Sequence, residues 1–105
     1  EVRVQLIGPI RQEILSGVKG QQQFSKLKKI LLAFPDLPLA SEDFELAAEY
    51  FNILRSKGIQ GSNTDFLICA VSTRNNMPIF STDNDFNHYK KHIPIVLYTP
   101  RVTKK

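Results

Sequence analysis

Asp65-Phe66-Leu67-Ile68-Cys69-Ala70-Val71, with Met77-Pro78-Ile79-Phe80 a short polar stretch later, is the passage that decides the fold. Six consecutive apolar residues after Asp65 leave no polar face, so a helix over them is buried nearly all round through its first two turns. Gly61-Ser62-Asn63-Thr64 supplies the capping chemistry that starts it, and the helix is expected to open at Asp65. Residues 77–80 then read as a short apolar strand.

Working outward, residues 83–91 read as a polar helix or turn, and Pro94-Ile95-Val96-Leu97-Tyr98 as a last strand. Upstream, Ser41 with Asp43 and Glu45 nearby marks a helix start. Phe44, Ala47, Ala48, Phe51 and Leu54 repeat at three and four as far as Gly58, a C-terminal stop. Pro35 and Pro38 make a loop or extended piece. Residues 21–34 carry Phe24, Leu27, Ile30, Leu31 and Phe34 on one helical face, with Lys26, Lys28 and Lys29 largely off it. Residues 10–16 form a short helix after Pro9, ending at Gly17, and residues 2–7 alternate as a strand entering a core. The order β-α-α-α-α-β-α-β indicates an α/β domain with a parallel sheet.

Length and composition bound the function. One core and one domain are expected of 105 residues. A hydrophobic share of 42% with 23% charged residues argues against disorder and fibrous architectures. The single cysteine, Cys69, excludes an internal disulfide and suits a reducing cytosol. No apolar run approaches the roughly 20 residues that cross a bilayer, so a soluble, cytoplasmic protein without a membrane partner is expected. The net charge of +4 is compatible with a polyanionic partner. Without Arg101, Lys104 and Lys105 it falls to +1, so that signal is weak.

Acidic residues stand out at three places. Glu13 lies in the short helix after the first strand, Asp65 opens the buried helix, and Asp83 and Asp85 come after the strand at 77–80. In an open α/β sheet, strand ends and the following helix starts share the edge where ligands bind. Carboxylates converging there suit a hard divalent cation. Each has a plainer reading alone: Glu13 a solvated helix residue, Asp65 a favourable charge in a first helical turn, Asp83 and Asp85 parts of a turn. His88 and His92 have helical metal-ligand spacing but no third ligand, and read as surface residues. Cys69, in its apolar run, reads as a buried thiol rather than a nucleophile.

Read together, three segments resemble the PIN-domain family, and within it the VapC-like toxin ribonucleases. They are Ile7-Gly8-Pro9-Ile10-Arg11-Gln12-Glu13-Ile14-Leu15-Ser16-Gly17, Thr64-Asp65-Phe66-Leu67-Ile68-Cys69-Ala70, and Met77-Pro78-Ile79-Phe80-Ser81-Thr82-Asp83-Asn84-Asp85-Phe86. The resemblance implies a three-layer α/β/α fold with a small parallel sheet, and a Mg²⁺- or Mn²⁺-dependent endoribonuclease acting as the toxin of a toxin–antitoxin pair. Glu13, Asp65 and Asp83 then hold the metal and position the attacking water. Asp85 is a further ligand, or a group hydrogen-bonded behind the ligands, at the edge of the cleft, and Ser81 is the hydroxyl that hydrogen-bonds beside the acids. RNA is the substrate, and the partners are a cognate antitoxin and a second copy in a homodimer. The family's pattern opens with a strand carrying its first Asp, so residues 1–105 are expected to be a single PIN-like domain lacking that strand. Two rival readings are a non-catalytic PIN-like RNA- or protein-binding domain with an incomplete acidic site and, less well supported, a metal-dependent phosphatase on a doubly wound sheet.

Overall fold

A computed structural model describes residues 5–81 and 83–98. Residues 2–4 of the expected first strand, Thr82, and the basic residues Arg101, Lys104 and Lys105 lie outside the described residues. Among the described residues five helices run in the expected order: α1 (Gly8–Leu15), α2 (Gln21–Leu31), α3 (Ser41–Ser56), α4 (Asn63–Arg74) and α5 (Asp85–Tyr89). The chain divides into two compact units, Glu1–Leu39 and Ala40–Lys105.

In the first unit, Pro9 sits in the opening turn of α1, where its missing N–H has no helical partner to lose. Arg11, two residues on, ties α1 to the end of α2 and the loop beyond it. Its Nε donates to Asp36 Oδ1 at 2.9 Å, Nη1 donates to the Leu31 carbonyl at 3.1 Å, and Nη2 donates to the Phe34 carbonyl. The guanidinium thus adds donors to one carbonyl at the end of α2 and one just beyond it. α2 closes earlier than its apolar stripe suggests, because Leu32, Ala33 and Phe34 donate to carbonyls three residues back, tightening the last turn. On that stripe Leu31 is buried, whereas Phe24 and Ile30 are exposed.

The second unit holds the main core: Tyr50, Leu54, Phe66, Cys69, Ala70, Ile79, Phe86, Tyr89, Ile93 and Ile95. As the unbroken apolar run requires, α4 buries Phe66, Leu67, Cys69, Ala70 and Val71. On α3 the buried face differs from the apolar stripe. Asp43, Tyr50 and Leu54 are buried, with Leu46, Ala47 and Phe51 packed beside the core. Phe44 is 53% exposed. The buried face therefore turns away from Phe44 and takes in one charged residue, Asp43.

The expected sheet is reduced, among the described residues, to two isolated parallel bridges: Leu6 with Asp36, and Ile79 with Leu97. Ile79 N–H donates to the Val96 carbonyl at 2.8 Å, and Tyr98 N–H donates to the Ile79 carbonyl at 2.7 Å. Both pairings are parallel, as expected, but neither extends. Pro35 faces Leu6 in the first bridge and accepts its N–H through the carbonyl, but has no N–H of its own to add to that ladder.

Candidate metal centre

α4 begins two residues before Asp65. Ser62 is its N-cap, and the Ser62 Oγ accepts the Asp65 backbone N–H at 3.0 Å. Asp65 is thus the third helical residue. An acid at that position commonly turns back onto the N-cap backbone. Here its Oδ2 instead accepts a hydrogen bond from the Tyr89 hydroxyl at 2.9 Å.

The loop from the Ile79 bridge into α5 carries the other acids. Ser81 Oγ accepts the Asp83 backbone N–H at 3.0 Å, and Asp83 Oδ1 accepts the Asp85 N–H at 2.9 Å. The short polar turn read at Asp83-Asn84-Asp85 is therefore present, and it aims carboxylates as well as closing the loop. One carboxylate oxygen from each of Asp65, Asp83 and Asp85 lies within 4.8 Å of the others. Asp65 is half-buried, while Asp83 and Asp85 are exposed. Asp85, expected at the edge, joins the group on equal terms. Glu13 is exposed on α1, in the first unit.

The sequence model of the PIN domain family matches residues 5–92. This chain belongs to that family. Comparison with curated proteins finds no match. The matched span covers the motifs of Glu13, Asp65, Asp83 and Asp85, and membership gives the chain a nuclease-type α/β fold.

The donor set of this PIN domain suits a hard cation. It is all carboxylate oxygen, and two oxygens bound to one Mg²⁺ at about 2.0–2.1 Å can be no more than about 4.2 Å apart. A group already within 4.8 Å needs only small side-chain rotations to reach that. Cys69, the nearest soft candidate in sequence, is unsuited: burial, then the charge of Asp65, pushes its thiol up to about 12. His88 and His92 are exposed.

Two contributors escaped the sequence reading. Tyr89 is fully buried, and burial followed by its hydrogen bond to Asp65 raises its pKa, keeping the O–H a donor. Gly61 read only as capping material, yet it sits against the Tyr89 hydroxyl. The available signal for Tyr89 was its spacing three residues after Phe86, which puts both rings on the inner face of α5.

Proposed function

We propose that this PIN domain is a metal-dependent endoribonuclease, the toxin of a toxin–antitoxin pair, hydrolysing RNA phosphodiester bonds. The gathered carboxylates of Asp65, Asp83 and Asp85 carry this reading, since three like charges in so small a space are stabilised by a bound cation. Asp65, Asp83 and Asp85 would hold Mg²⁺ or Mn²⁺, and a cation so held supplies the charge that activates a water and stabilises a phosphoryl oxygen. Asp83 is kept in place from both ends of its residue, by Ser81 on its N–H and by Asp85 on its side chain. Glu13 is proposed as a further metal-site residue from its sequence motif alone, and Glu13→Gln is its separate test. The isolated bridges are proposed to belong to the family's small parallel sheet. A cognate antitoxin and a second copy of the chain are the proposed protein partners.

The test is cleavage of single-stranded RNA with Mn²⁺ or Mg²⁺, by the wild type and by Asp65→Asn. Cleavage is expected with metal, is lost in excess EDTA, and falls at least about 100-fold in Asp65→Asn, as for loss of a group that orients bound metal. Cleavage that survives EDTA or the substitution overturns the mechanism. RNA binding without any cleavage supports instead the non-catalytic binding domain.

A further inference from the structure

We infer that Tyr89 is a positioning residue that sets the Asp65 carboxylate for the cation, and that Gly61 is the gap that lets it do so. This rests on the proposed metal site at Asp65, Asp83 and Asp85.

The Tyr89 ring is fully buried, and its hydroxyl donates to Asp65 Oδ2 at 2.9 Å. Two rings hold it. Phe66 lies 5.3 Å away at 59°, and Phe86 lies 5.3 Å away at 78°, in an edge-to-face contact. Each of these phenylalanines directly follows an acid of the cluster, Asp65 and Asp85 respectively. One aromatic ring therefore fixes the backbone beside both acids, while its hydroxyl fixes the rotation of one carboxylate. With Oδ2 so engaged, the rotation of the Asp65 carboxylate is set. Partners of this kind orient a ligating carboxylate and strengthen its binding.

Gly61 gives a second, independent observation. A Cβ built there collides with the Tyr89 hydroxyl oxygen, and lies 2.8 Å from Phe66 Cζ and 2.9 Å from Tyr89 Cζ. The chain's positive-φ glycines are Gly17, Gly20 and Gly58, so what Gly61 supplies is space. Any side chain there displaces the hydroxyl from Asp65.

The experiment titrates Mn²⁺ alone into the intact chain by calorimetry, with circular dichroism recording the metal-free fold. Tyr89→Phe keeps the ring and removes only the O–H. Its Mn²⁺ affinity is expected to fall about 10- to 100-fold while the metal-free fold is kept. Gly61→Ala is expected to show a similar loss, and the double variant no more than the larger single loss, because both act through one hydrogen bond. An unchanged Mn²⁺ affinity in Tyr89→Phe overturns the inference, even if the metal-free midpoint drops, since a purely structural role moves only that midpoint. A wild type that binds no Mn²⁺ overturns the metal-site reading and this inference with it, so the two failures are distinguishable.

Discussion

Asp43 and Asp65 occupy the same position in neighbouring helices, the third residue of α3 and of α4, and meet different partners. Asp43 is 1% exposed. Its Oδ2 accepts the Ala40 N–H at 2.8 Å, and its Oδ1 accepts from Arg74 Nη1 at 2.6 Å. Burial works to raise its pKa, but the Ala40 N–H and the Arg74 guanidinium prevail and hold it below the ordinary carboxylate value. Asp65 has a neutral phenol as its donor and two further carboxylates within 4.8 Å. A carboxylate matched by a backbone donor and a cation is consumed in building the fold. One answered only by a neutral donor, with like charges beside it, keeps binding capacity for something positive.

The largest effect that sharpens this contrast is on stability. Asp43→Ala removes the acceptor at the start of α3 and vacates buried space, and is expected to cost about 2–3 kcal/mol in urea unfolding. The ion pair adds little to that, because the Arg74 side chain is 37% exposed and solvent screens it. Asp65→Asn, which relieves repulsion among three acids, is expected to leave metal-free stability unchanged or slightly raised. If Asp65→Asn proves the more destabilising of the two, the division between structural and binding carboxylate fails.

A smaller effect separates the two positions by pH. The folded-state pKa of Asp43 lies below its unfolded value near 3.8, so the stability it contributes is present above that value. It is lost as pH falls from there through the lower folded pKa. The stability difference between wild type and Asp43→Asn is therefore expected to be constant from pH 5 to 7, roughly, and to shrink below about pH 4. Urea midpoints of both proteins across that range check it. A gap that widens on acidification reverses the sign and removes Asp43 as a stabilising charge.

The run from Phe66 to Val71 announced a buried helix in the sequence itself, because no polar face was left to turn outward. Asp65, Asp83 and Asp85 were legible because each adjoins a core element, which limits where its side chain can go. Asp43 was not, because apolar spacing cannot register a charged residue on the inward face; its two partners, Ala40 and Arg74, are what make burial tolerable. Apolar content marked residues 77–80 and 94–98 as strands, and the Ile79–Leu97 bridge pairs them in parallel. How far a ladder runs depends on partners distant in the chain, which local patterning does not register. Tyr89 stands 24 residues from the carboxylate it touches, and no local pattern encodes that meeting.

The smallest expected effect tests which end of Asp65 matters for the cation. Its backbone N–H is held by Ser62 Oγ at 3.0 Å and its side chain by the Tyr89 hydroxyl at 2.9 Å. Ser62→Ala removes the cap and is expected to cost about 1 kcal/mol of stability, with Ser62→Asn restoring most of it because asparagine caps comparably. The helix backbone remains fixed by its own hydrogen bonds and by the buried face of α4. Mn²⁺ affinity of Ser62→Ala is therefore expected to stay within about twofold of wild type, against the larger loss in Tyr89→Phe. Should Ser62→Ala weaken Mn²⁺ as much as Tyr89→Phe does, the helix start rather than the phenol sets the carboxylate.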